Sequence, residues 1–121
     1  MVVDAQKRIL LLLRSRKSYW MPLKWGLPGG KIEIGETWTE GARRETKEET
    51  TLSLQELNLL SIDDKVVVYM CNDWSGTVEI DHEHEDWAWV SREQLVNYEK
   101  VPLVNELYEM AMIYVEDKKN H

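Results

Sequence analysis

The order of elements readable in this chain predicts an α/β fold, with a mixed β-sheet held between helices. Strand-length apolar runs come first, at Ile9–Leu13, and return at Val66–Tyr69. Two segments carry helical spacing instead, one opening at Thr37 and one running from Val104 to Val115. Strands, helix, strands, helix is the sequence of layers an α/β/α sandwich accommodates. Periodicity alone leaves the strand order open.

Val2 and Val3 precede a polar break at 4–7, so a strand before that break would be only about two residues long. Arg8–Arg14 is rich in Ile and Leu and reads as a buried strand. A polar and aromatic loop, 15–22, leads to Lys24–Gly30 and its Pro-Gly-Gly turn. Lys31–Ile34 alternates polar and apolar, as a short strand does, and Gly35 turns the chain. Thr37-Trp38-Thr39-Glu40 fits a capping box, which makes Thr37 the N-cap of the main helix. Trp38, Ala42 and Thr46 then form one row, expected to face the core.

That helix should end near Thr50 or Thr51, and a β-branched residue is a poor left-handed cap, so a different end geometry is expected. Further strands are expected around Leu57–Ile62, at Lys65–Cys71, at Thr77–Ile80 and at Trp87–Val90, with an acidic loop at His82–Asp86. Ser91–Leu95 should make a small helical turn and Tyr98–Leu103 a loop. The last helix has apolar residues at Val104, Leu107, Tyr108, Ala111, Met112 and Val115, and Glu116–His121 is a polar tail expected to fray. No linker or internal repeat divides the chain, so residues 1–121 are expected to form one domain.

Composition narrows the function classes. The net charge is −7, from 15 basic and 22 acidic residues, which argues against long nucleic acid as a partner. Free nucleotides remain open, because a bound cation reverses the local sign at a phosphate. No apolar run approaches the ~18 residues that cross a membrane, and no leader pattern is visible. Cys71 is the single cysteine, so no intrachain disulfide forms and a reducing cytoplasm is the expected setting. The six Trp are expected mainly to pack the core.

The most informative stretch is 29–52. Glu45, Glu48 and Glu49 are related by helical steps of three and four, so their carboxylates share a face where like charges repel. Divalent cations would relieve that repulsion. Glu33 and Glu36 stand just upstream, and Gly29-Gly30 allows backbone to approach a ligand closely. A glycine turn feeding a carboxylate-rich helix suits hard metal ions held against a phosphate chain.

The stretch resembles the Nudix box, Gly-x5-Glu-x7-Arg-Glu-U-x-Glu-Glu-x-Gly-U, through Gly30, Glu36, Arg44, Glu45, Glu48, Glu49 and Leu52. Thr46 departs from the first aliphatic position and Thr51 from the second glycine. The resemblance implies the Nudix α/β/α sandwich and Mg2+ or Mn2+ held by Glu45, Glu48 and Glu49 with the carbonyl of Gly29. Arg44 would orient one of these carboxylates. Glu36 is either a ligand through water or an anchor near the helix start. A further glutamate commonly precedes a Trp by about four residues; Glu85 before Trp89 is the choice, with Glu83 and Asp86 as competitors. His82 and His84 lack a third ligand and do not suggest zinc.

For recognition, Gly30 and Lys31 adjoin the phosphates. Asn105, at the start of the last helix, either bonds a purine edge or caps the helix. Tyr69 is similar in place to a tyrosine of dinucleoside polyphosphate hydrolases, or is a half-buried strand residue. Trp20 or Trp25 could stack on a base, with Trp25 the better candidate to pack beneath the Pro-Gly-Gly turn. The proline that marks many ADP-ribose hydrolases is absent from the segment beginning Lys65-Val66. The resemblance implies hydrolysis of a nucleoside diphosphate linked to another group, with nucleoside triphosphates first, dinucleoside polyphosphates second and nucleotide sugars third. A nucleotide-sensing module without hydrolysis is the rival. The short first strand leaves room for a second copy to complete the sheet as a homodimer.

Overall fold

The computed structural model describes residues 1–63 and 66–119. Its centre is β1 (Ile9–Arg14), whose first four residues are buried. A strand covered on both faces must be apolar throughout, and this is what the Ile-Leu run provides. Ile9 and Leu11 point to one side and Leu10 and Leu12 to the other, in two separate clusters. β1 pairs antiparallel with β2 (Trp25–Gly26) on one edge and with β7 (His84–Val90) on the other. β4 (Asn58–Ile62) and β5 (Val67–Met70) form a hairpin, and β3 (Ser53–Leu54) pairs briefly with β6 (Trp74–Ser75).

Val2 and Val3 join these pieces. Val2 bridges Cys71 in parallel and Val3 bridges Ile9 antiparallel, so two buried residues stitch the hairpin to the central strand. The parallel bridges at Val2–Cys71 and Trp25–Lys100 make the β-structure mixed.

The helix α2 (Val104–Lys119) lays Val104, Tyr108, Ala111 and Met112 on the Ile9–Leu11 side. This is the stripe its spacing predicts. Leu10 and Leu12 pack with Val2, Leu52 and Val78 on the other side, where Trp74 and Trp89 stack at 5.2 Å. Trp25 meets Tyr98 edge-on at 5.0 Å and packs into the α2 side, where it supports β2. No helix among the described residues is long and apolar enough to cross a membrane.

The helix α1 (Trp38–Thr50) starts where the capping box places it. The Glu40 N–H donates to Thr37 Oγ1 and the Thr37 N–H to Glu40 Oε1, which satisfies two amides that the helix itself leaves unpaired. Its C-terminus corrects the expected change of geometry. Thr51 adopts the left-handed cap after all, at φ 65°, with its N–H bonded to the Lys47 carbonyl. The Thr51 hydroxyl donates to the Thr77 carbonyl at 2.6 Å, a bond glycine could not make, and this offsets much of the ~1 kcal/mol conformational cost.

Four other expectations are corrected. Lys31–Ile34 is not a strand: side chains take its polar groups, Arg44 binding the Lys31 carbonyl and Glu36 the Glu33 N–H. Thr77–Ile80 pairs with no strand; the return pairing falls earlier, at β6. β7 begins at His84, so it absorbs three of the five residues of the predicted acidic loop. Trp38 is about half exposed and not in the core. Lys65, where one strand was expected to begin, lies outside the described residues, as do residues 120 and 121 of the tail.

Thr37→Ala removes the capping hydroxyl from α1. It should lower stability by about 1 kcal/mol and Tm by a few degrees. Thermal melts followed by circular dichroism check this, and an unchanged Tm would mean that α1 does not depend on its cap.

Candidate active site

Helical geometry gathers the acidic groups. Glu45 and Glu49 lie one turn apart and turn inward, with Glu49 buried, while Glu48 stays more exposed. The Gly29–Gly30 turn is seated directly on them. The Gly29 N–H donates to Glu49 Oε1 at 2.9 Å. A Cβ at Gly30 would overlap the Glu45 carboxylate, and Gly29 sits at φ 147°, where side chains are strained. Gly29 is therefore required by its backbone conformation, and a side chain at Gly30 would push the Glu45 carboxylate from its place.

Arg44 organises the other carboxylates. Its Nη2 and Nε bind Glu36 at 2.8 and 3.0 Å, and its Nη1 reaches Glu45 at 3.0 Å and Glu48 at 3.2 Å. Nη2 also donates to the Lys31 carbonyl, which ties helix to turn. Glu36 accepts the Glu33 N–H as well, and these hydrogen bonds, Arg44's first, hold its carboxyl below the usual range. These bonds seat Glu36 at the helix start, against Arg44.

Burial acts oppositely on the inner pair. It pushes the Glu49 carboxyl up to about 8, against the Gly29 hydrogen bond and with help from Glu45, Asp81 and Glu83. It also raises Glu45, though Arg44 opposes the shift. Among the described residues no three His, Cys, Asp or Glu side chains converge on one cation position as they stand. The donor set nonetheless fits a hard divalent cation: oxygens only, in an acidic surround, with one buried carboxyl whose proton a cation would displace.

The distal glutamate is where the structure departs most from expectation. Glu85 is occupied elsewhere: its carboxylate accepts the Arg16 N–H and pairs with the Arg16 guanidinium at 3.0 Å. Outside α1, the acidic groups whose charge acts on Glu49 are Asp81, which sequence reasoning missed, and Glu83, named as a competitor. The cause is the start of β7. Asp81 hydrogen-bonds His84 Nδ1 at 2.7 Å and closes a turn before the strand, and this places Glu83 short of it. No spacing in the sequence signals Asp81.

Beside the turn opens a cavity of about 770 Å³, lined by Gly29, Gly30, Lys31 and Tyr69. The Trp38–Ala42–Thr46 row faces this cavity instead of a packed core, and Trp20 lines it as well. Asn105 does not. It sits in a separate cleft with Arg92, Lys100 and Glu109, because Val104 takes the inward position and the next residue turns away. Of the two roles open to Asn105, base reading and helix capping, neither is brought to this cavity.

A family model described as the NUDIX domain matches residues 1–111. The nucleoside triphosphatase NudI of Escherichia coli O139:H28 is 31% identical over 97 residues, covering 64% of this chain and 69% of that protein. The m7GpppN-mRNA hydrolase NUDT17 of Xenopus laevis is 41% identical over 58 residues, 48% of this chain; the chain spans only 20% of that relative's length. A crystal structure of a MutT NUDIX hydrolase from Burkholderia pseudomallei superposes with a TM-score of 0.76 at 25% identity, covering 90% of this chain and 94% of the other.

The Glu49 shift has a signed consequence. Its folded carboxyl, near 8, keeps a proton that the unfolded chain has already lost, so without metal stability falls as pH rises from about 5 to about 8. Glu49→Gln carries no such proton and should flatten that decline. Thermal melts of both proteins across this range in chelator test it; parallel declines would show that another group is responsible.

Proposed function

The chain belongs to the Nudix family, and from that premise we propose that it hydrolyses a phosphoanhydride bond of a nucleoside triphosphate, giving a nucleoside monophosphate and pyrophosphate. The observation that carries this reading is the seat of the Gly29–Gly30 turn on Glu45 and Glu49, at the wall of a nucleotide-sized cavity. NudI, a relative that is itself a nucleoside triphosphatase, supports the substrate class.

Glu45, Glu48 and Glu49, with the backbone of Gly29, would hold magnesium or manganese. The ion, when bound, neutralises phosphate charge and makes water a better nucleophile. Arg44 keeps Glu45 and Glu48 oriented and Glu36 keeps Arg44 in place. Glu83 replaces Glu85 as the distal carboxylate, since Glu85 is engaged by Arg16. Lys31 lines the cavity beside the turn, where an ammonium meets the phosphate chain. Residues 1–121 then act as one catalytic domain. A dinucleoside polyphosphate is the second reading, favoured by Tyr69 in the cavity wall.

An assay of pyrophosphate release over a nucleotide panel, read as phosphate after added inorganic pyrophosphatase, with magnesium and with chelator, tests the reading. Turnover of nucleoside triphosphates should appear with metal and vanish with chelator. Tight binding without turnover of any nucleotide would instead mark a sensor. Separately, Glu48→Gln should cut turnover by roughly two orders of magnitude or more, as losing a charge-stabilising group does. Its melt should stay close to that of the parent, because Glu48 is half exposed. Undiminished activity would remove Glu48 from the metal site.

A further inference from the structure

We propose that Trp20 is the stacking platform for the base of the bound nucleotide, and that ring area, not a hydrogen-bonding side chain, sets the base preference. The inference rests on the nucleotide reading of the cavity and deepens it.

Trp20 lines the cavity with about half of its surface (52%) open. An exposed indole on a loop would ordinarily be mobile, but this one is clamped. The Arg14 guanidinium lies over the ring at 5.1 Å. The Trp20 carbonyl accepts from Arg14 Nε at 2.8 Å and from Ser18 Oγ at 3.0 Å. Arg14 ends β1, and its backbone binds both Lys24 and Leu23, so the loop is closed at its base. Met21 and Leu23 take left-handed backbone conformations at φ 47° and 57°, which only an over-determined loop maintains.

A ring has two faces. Arg14 lies over one of them, and the half of Trp20 that stays open where it lines the cavity leaves area for a planar partner. A planar partner stacking there loses little freedom in the protein, because the platform is already ordered. The cation behind the ring also favours an electron-rich partner. Trp38 lines the same cavity, but among the described residues only Trp20 of the cavity's aromatic side chains has a cation over its ring.

The rest of the wall explains why stacking would dominate. The described lining holds no Asn, Gln, His or Arg; its polar side chains are Lys31, Thr46, Ser61, Asp63 and Tyr69, set among many more apolar ones. Asn105 is in another cleft. With an aromatic platform and walls that are mostly apolar, recognition responds first to stacking area and tolerates changes at the base edge. Purine nucleotides should therefore be preferred to pyrimidine ones, with little choice between adenine and guanine.

The test compares kcat/KM in magnesium for adenosine, guanosine, cytidine and uridine triphosphates and for ribose 5-triphosphate, which has no base. The parent should favour both purines similarly, then the pyrimidines, then the baseless compound. Trp20→Ala should shrink the advantage of the purine nucleotides over ribose 5-triphosphate by about tenfold or more, mainly through KM. Trp20→Phe should recover part of it, while Trp20→Leu, apolar but without a π-face, should not. An unchanged preference in Trp20→Ala, or a parental one in Trp20→Leu, overturns the proposal. Titration calorimetry with a non-hydrolysable adenosine triphosphate analogue separates the two readings. A loss of affinity in Trp20→Ala supports the platform even if no nucleotide is turned over. Turnover with a Trp20-independent preference removes the platform and leaves the hydrolase standing.

Discussion

A single guanidinium makes the acidic face of α1 sustainable. Glu36, Glu45 and Glu48 each have a nitrogen of Arg44 within 3.2 Å, and the same side chain binds the Lys31 carbonyl. These carboxylates would otherwise repel one another from positions the helix forces on them. Each hydrogen bond also strengthens the hold of Arg44 on its own proton, so the group stays charged throughout the working range. Glu49 is the carboxylate outside this arrangement. It is buried, meets a backbone N–H and keeps a proton. The site therefore has two regimes side by side, one neutralised by a cation and one by protonation. Both are states that added positive charge would displace.

Placement of that face depends on the two ends of α1. At its start the reciprocal Thr37–Glu40 bonds set where the first turn begins, which fixes the angular position of every carboxylate after it. At its end Thr51 holds a left-handed conformation and ties to Thr77, sending the chain into Leu52 and the β1 cluster. The chain there runs so close to Gly76 that a Cβ at that glycine would meet the Thr51 carbonyl at 3.3 Å.

Local rules made much of this legible. The capping box, the buried strand, the α2 stripe and the inward carboxylates all follow from spacing within one element, and α1 begins where the spacing places it. What spacing could not show was competition from elsewhere in the chain. Lys31–Ile34 alternates like a strand, but Arg44 and Glu36 take its polar groups. Glu85 has the right distance to Trp89, but Arg16 captures it. Thr51 looked unfit for its cap because its partner, Thr77, is 26 residues away. Asn105 has suitable chemistry for a base edge, but helical phase turns it from the cavity. In the first three cases the one-dimensional signal was silent about a partner elsewhere in the chain; for Asn105 it was silent about the phase of α2.

The two-sided burial of β1 also bears on how this chain tolerates insertions and deletions. Both faces of the strand are aliphatic, so a slip by one residue would exchange Ile9 and Leu11 for Leu10 and Leu12 with little change in hydrophobicity. Apolar pattern alone does not choose between the two alignments. The ends of the strand choose. Before it, Arg8 is pinned to Asp4 by backbone and side-chain bonds; after it, Arg14 must emerge beneath Trp20. The polar bookends thus act as indexing pins for an otherwise ambiguous core. Losing one residue from β1 would leave the interior greasy but set the loop that carries the aromatic platform out of phase with the helix that carries the acids.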